Sequence, residues 1–179
     1  MKLTVDSVVN RASDITISID GYVPLDVKII DSTGSPPLYW RVGNGKKSLL
    51  ELAILPENGL LSAITLVGID PDYVYKVNNI PVDLSDCEIG LAVVNLLFWK
   101  CCDMNDFSQR FIDDFDLDIQ IFISKDSILI AINRDEGKVN WIKYSDNFYV
   151  GISADRNMTH LFFDRLTQEK IDDFCESIR

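Results

Sequence analysis

The 179-residue chain has the length of a single globular domain, and its 47% apolar and 25% charged residues are the balance of a folded protein. Seventeen Lys and Arg against 28 Asp and Glu leave a net charge of −11. Such a field repels phosphate, which argues against nucleic acid and anionic membranes as partners and for a basic surface.

Alternation of apolar and polar residues, the period of half-buried strands, runs through most of the chain. Ile15–Asp20 closes at Gly21, with Val27–Ile30 as its expected neighbour. Residues 32–37 have loop chemistry, Leu38–Val42 resumes a strand, and Gly43-Asn44-Gly45 breaks it. Two hairpins are expected. One joins Ser48–Leu55 to Leu60–Val67 through Pro56-Glu57-Asn58-Gly59, the other Ser127–Asn133 to Lys138–Tyr144 through Arg134-Asp135-Glu136-Gly137. Their common pattern of strand, acidic turn and strand is consistent with an internal pseudo-repeat, roughly residues 15–100 and 117–179.

Asp86–Cys102 has the length of a buried helix, but Gly90, Val93 and Val94 favour extended structure; the segment stays open. Met104–Phe115 is compatible with a short amphipathic helix through Phe107, Phe111 and Ile112. Leu117–Ser124, Phe148–Ile152 and His160–Leu166 read as strands. Thr167 caps a closing helix in which Ile171, Phe174, Cys175 and Ile178 form an apolar stripe. The expected fold is α+β and mostly antiparallel. Two sheets built from hairpins, with few helices including a C-terminal one, form a single domain over residues 1–179.

The first six residues reach Asp6 before an apolar run develops, and the longest apolar stretch, Ile89 to Trp99, is too short for a bilayer. Cys87, Cys101, Cys102 and Cys175 have neither disulfide-framework nor zinc spacing, so a reduced, cytoplasmic protein is expected, with no metal and no cofactor. Chemistry is sparse. His160 is the single histidine and reads as an ordinary strand-end residue. Residues 43–48 fall short of a phosphate loop, having Trp40 where the first glycine belongs. Asp114-Phe115-Asp116-Leu117-Asp118 opens like a calcium loop, but Ile119 and Lys125 occupy the glycine and glutamate positions. A period of two instead places its three carboxylates on one face of an extended segment, with Phe115 and Leu117 opposite.

What remains is acidity. Asp103, Asp106, Asp113, Asp114, Asp116 and Asp118 lie within sixteen residues whose only base is Arg110, interleaved with Met104, Phe107, Phe111 and Phe115. The plain interpretation is a solvated acidic segment anchored by its aromatics. The functional one is an anionic patch that steers and holds a cationic protein. Trp40, Trp99 and Trp141 serve either as interface anchors or as core.

The stretches YWRVGNGKKSLLELAILPENGLLSAITLV, GLAVVNLLFWK, FIDDFDLDIQIFISKDSILIAI and LTQEKIDD resemble those of small acidic bacterial immunity proteins of polymorphic toxin systems, including contact-dependent growth inhibition. The resemblance spans roughly residues 39–175 and carries no shared binding motif. It implies a non-enzymatic, stoichiometric inhibitor of a cognate toxin's basic C-terminal nuclease domain, with an EndoU-type tRNA-cleaving ribonuclease as one candidate. The six aspartates are then the expected contact residues. Two other readings stand beside it. One is an acidic adaptor for another basic cytosolic protein; the other is an enzyme using a carboxylate pair from Asp70, Asp72 and the 113–118 cluster. The sequence leaves the oligomeric state open.

Overall fold

Inward-pointing Leu, Ile, Val and aromatic side chains alternate with polar ones along most strands, and the computed structural model stacks these apolar faces on one another. It describes residues 2–31, 34–100, 105–132 and 137–178. In chain order the strands are β1 (Val5–Val9), β2 (Thr16–Ser18), β3 (Leu25–Lys28), β4 (Leu38–Val42), β5 (Leu49–Ile54), β6 (Leu61–Gly68), β7 (Val74–Lys76), β8 (Glu88–Ile89) and β9 (Leu91–Val94). They continue with β10 (Phe111–Asp114), β11 (Gln120–Ile123), β12 (Ile128–Ala131), β13 (Asn140–Ser145), β14 (Phe148–Ile152) and β15 (Met158–Phe163), and helix α1 (Gln168–Ser177) follows.

The expected fold class is met with two refinements. Three sheets form: six strands in the order β10-β4-β5-β6-β3-β2, seven in the order β7-β11-β12-β15-β14-β13-β8, and the ribbon β1-β9. Most pairs are antiparallel, but β10–β4, β11–β7 and β13–β8 are parallel. Trp40, Leu50, Leu52, Ile64 and Val27 from one large sheet and Ile121, Ile130, Leu161, Phe163 and Val150 from the other share a single buried core. The ribbon joins it through Val5, Leu91 and Val94, the chain just before β1 through Leu3, and the helix through Ile171 and Phe174.

The first hairpin forms as expected: β5 pairs with β6, and Gly59 turns the chain at φ +73°. The second does not. β12 lies between β11 and β15, while β13 pairs with β14 and β8. β13, β14 and β15 make a meander, and β12 crosses over to lie beside β15 in a Greek key. Phe163 decides the pairing, standing opposite both Ile128 and Phe148 and stacking on the Phe148 ring at 4.8 Å. The turn residues Arg134, Asp135 and Glu136 lie outside the described residues.

Asp86–Cys102 is extended through β8 and β9, then makes a short 3-10 turn at Leu97–Trp99; Cys101 and Cys102 lie outside the described residues. The helix expected over Met104–Phe115 is replaced by a 3-10 turn, Phe107–Arg110, followed by β10. Over so few residues the helical and strand periods are hard to distinguish, and stacking of Phe111 on Tyr39 of β4 favours the strand. The C-terminal helix is capped as expected, Thr167 Oγ1 accepting the Lys170 N–H. Trp40, Trp99 and Trp141 are all buried, so they are core rather than anchors.

The outer faces of the two large sheets differ. On the seven-stranded sheet Trp141, Tyr149 and Phe162 are buried beneath Ile80, with Val77, Val82 and Leu84 packed alongside. A strap of chain thus covers that face. Elsewhere, contacts distant in sequence tie the two ends of the protein together. Thr4 Oγ1 donates to Asn157 Oδ1 (3.1 Å), Arg156 Nε to the Val5 carbonyl (2.8 Å) and Lys170 Nζ to the Ile17 carbonyl (3.0 Å). Among the described residues no helix is long and apolar enough to cross a membrane.

Tyr144 of β13 is buried, and its hydroxyl accepts the Ala92 N–H at 2.9 Å. Burial holds its phenol well above the ordinary value of 10.0. Because ionisation is easier in the unfolded chain, stability is retained below pH 10 and falls as pH rises beyond it, by up to about 1.4 kcal/mol per unit. Denaturant titrations from pH 8 to 11.5 should show a shallower alkaline decline for Tyr144→Phe than for the wild type. A slope unaltered by the substitution would contradict the assignment.

Candidate functional site

The acidic segment does not lie on one face. Asp103 lies outside the described residues. Asp106 caps the 3-10 turn, accepting the Ser108 N–H at 3.0 Å, the Ser108 hydroxyl at 2.7 Å and the Gln109 side-chain amide at 3.2 Å. These bonds hold its carboxyl below the usual range. Asp113 points outward from β10, Asp114 is buried at the end of that strand, and Asp116 and Asp118 are exposed in the chain that follows. The strand ends at Asp114, so the expected row of Asp114, Asp116 and Asp118 on one extended face is not formed. The turn instead exposes Asp116 and Asp118, and Phe115 projects beside them, 42% exposed.

The parallel pairing of β10 with β4 carries Asp113 onto a larger surface. Register places two rows of side chains across the outer face of the six-stranded sheet. One runs Phe111, Tyr39, Ala53, Ala63, Lys28, Thr16; the other runs Asp113, Arg41, Glu51, Thr65, Asp26, Ser18. Asp113 takes a bidentate ion pair from Arg41, Nε to Oδ1 at 2.6 Å and Nη2 to Oδ2 at 2.8 Å. The guanidinium carbon lies 4.6 Å from the centroid of the Phe111 ring. Phe111 stacks on Tyr39 at 4.8 Å and meets Phe107 edge-on at 5.2 Å. Thr65 Oγ1 donates to Asp26 at 2.9 Å.

Between the aromatic stack and Lys28 the small side chains of Ala53 and Ala63 leave a groove of about 290 Å³, with Glu51 and Tyr39 in its wall. Among the described residues Glu51 forms no hydrogen bond and no ion pair. Burial pushes its carboxyl above the ordinary range; Arg41 opposes the rise and Asp113 adds to it. Neither Glu51 nor Tyr39 was singled out from the sequence. A lone acid in the apolar run LLELAI was the available signal, since only an outward position accommodates it.

The other chemical candidates resolve into structural roles. Asn44 Oδ1 accepts the backbone N–H groups of Lys46, Lys47 and Ser48, making the glycine-rich stretch a side-chain-braced turn. Asp70 caps the 3-10 turn Pro71–Tyr73 and pairs with Lys47 at 3.2 Å, while Asp72 is exposed within that turn. His160 lies within β15, its Nδ1 2.9 Å from Thr159 Oγ1 and its ring 6.0 Å from that of Trp141. Among the described residues no group of three or more His, Cys, Asp or Glu is placed to hold a metal ion.

Comparison with known proteins adds one relative. "Immunity protein CdiI-1" of Escherichia coli O157:H7 (strain EC869) is 45% identical over 85 residues, which is 48% of this chain and 99% of that protein. No protein-family model matches the chain.

Proposed function

The chain belongs to the CdiI immunity proteins of contact-dependent growth inhibition, and we propose that it acts in the cytosol by binding a basic, RNA-cleaving toxin domain of EndoU type. The family inhibits without catalysis, so the protein needs to bind and to bind quickly. A net charge of −11 is the observation that carries the basic partner. Carboxylates on the inhibitor occupy the places that substrate phosphates take, meeting the same Arg and Lys side chains. Asp106, Asp116 and Asp118 are exposed members of the acidic segment and supply the steering field, whereas the charge of Asp113 is already met by Arg41. Asp114 is buried and takes no part in that exposed set.

Co-expression with the cognate toxin domain tests this reading, with growth and tRNA integrity as readouts. Cells are expected to survive with intact tRNA, and death despite co-expression would end the proposal. Stopped-flow association should slow steeply with salt. Changing Asp106, Asp116 and Asp118 together to Asn is expected to lower the on-rate about tenfold at low ionic strength. Asn preserves the capping acceptor at position 106, so the fold is expected to be unaffected.

A further inference from the structure

We propose that the outer face of the six-stranded sheet is the toxin-docking surface, its groove seating an arginine or lysine side chain of the toxin between Tyr39 and Glu51. The inference rests on the reading that the chain binds a basic toxin domain, and it names where that domain sits.

Three observations lead there. The seven-stranded sheet covers its outer face with the Ile80 strap, burying Trp141, Tyr149 and Phe162. The six-stranded sheet leaves Tyr39, Phe111, Glu51 and Thr65 partly open to solvent. Its two central alanines form a hollow walled by Tyr39, and at the β10 edge of the sheet the ring of Phe107, edge-on to Phe111, is 58% exposed. A cluster of part-exposed aromatic rings beside a desolvatable hollow is the usual composition of a protein-binding centre.

The second observation is charge. Across the face Asp113, Glu51 and Asp26 outnumber Arg41 and Lys28. Arg41 is already held by both carboxylate oxygens of Asp113 and by the Phe111 ring. Its neighbour Glu51 has no ion-pair partner among the described residues, although it is half-buried. A carboxylate so placed gains from an incoming cation, which would also offset the burial that now raises its pKa.

The third is the form of the hollow. Ala53 stands beside Ala63 and Tyr39, and Glu51 follows on the same face of β5. A long cationic side chain entering there lays its methylene stem on the alanines and its head against the carboxylate, with the tyrosine ring alongside.

The test is calorimetric titration of the full chain with the purified cognate toxin domain, for the wild type, Glu51→Gln, Ala63→Arg and Asp72→Asn. Asp72 lies away from this face and serves as the control. Ala63→Arg fills the hollow with a like charge and is expected to weaken binding at least about 100-fold; Glu51→Gln is expected to weaken it about tenfold. Asp72→Asn should stay within about twofold of the wild type. Hydroxyl-radical footprinting of the unmutated complex provides a readout independent of folding, and Tyr39 and Phe111 should be shielded from oxidation. Wild-type binding with Ala63→Arg equally tight, or with both rings oxidised as in the free protein, overturns the docking face and leaves the toxin-binding reading standing. No binding by the wild type overturns both.

Discussion

Replacing Trp40 with alanine is expected to destabilise the protein by about 3–5 kcal/mol, the range for deleting a large buried aromatic side chain. Trp40 sits at the centre of β4 and is fully buried, with Leu52 opposite it on β5 and Ile112 opposite it on β10. Its loss opens a cavity that two sheets must close by moving toward each other. Trp40→Phe behaves differently. Among the described residues the buried indole Nε1 has no hydrogen-bond partner, a liability of about 1–3 kcal/mol that phenylalanine removes. That gain offsets much of the lost volume, so the phenylalanine variant should lie within about 1.5 kcal/mol of the wild type. Denaturation followed by circular dichroism measures both without relying on tryptophan emission. A cost below about 1 kcal/mol for the alanine variant would show that β4 is not held from its inner face. Tyr39 and Arg41 flank Trp40 in sequence and point the other way, so a loosened β4 should also weaken toxin binding.

Gly90→Ala is expected to be comparably severe, through the backbone instead of the core. Gly90 separates β8, which pairs with β13, from β9, which pairs with β1. It has φ +146°, and a Cβ there would stand 2.4 Å from the Val9 carbonyl oxygen and 2.9 Å from a Val8 methyl group. The conformation alone costs an L-residue about 1–3 kcal/mol. The collision with fixed backbone adds to this, because no flexible side chain is available to yield. Amide exchange in β1 and β9 should accelerate before that in β4–β6 does, since the ribbon is the part displaced. Equal acceleration in all strands would instead point to a uniform loss of stability.

The sequence displayed its strands clearly where a single sheet face was wet. Leu38–Val42, buried on one side and partly open on the other, has the limits expected from alternation alone. It was less clear where pairing depends on partners far away. Ser127–Asn133 and Lys138–Tyr144 have the local chemistry of a hairpin, yet Phe163, thirty-odd residues downstream, claims the neighbouring position. Local turn signals carry no information about such a competitor. The acidic segment shows a similar limit. Asp113 and Asp114 are equivalent as letters, but the strand turns one toward Arg41 and the other into the interior. Glu51 is not legible from its own segment because its neighbours on the face, Arg41 and Thr65, come from two other strands.

The contacts that join Thr4 to Asn157, Val5 to Arg156 and Ile17 to Lys170 span 151–153 residues of chain. They therefore impose a timetable on synthesis. At a ribosomal rate of about 5–20 residues per second, β1 waits on the order of ten seconds after it emerges before its last partners exist. The six-stranded sheet, by contrast, has all its strands once residue 114 has appeared. Its outward rows of aromatic and acidic side chains are encoded early, while the strands and helix that fasten the two ends of the chain arrive late. Such long-range closure is intrinsically slow to fold. A cell that must neutralise a toxin on arrival is then better protected by a standing stock of finished inhibitor than by new synthesis.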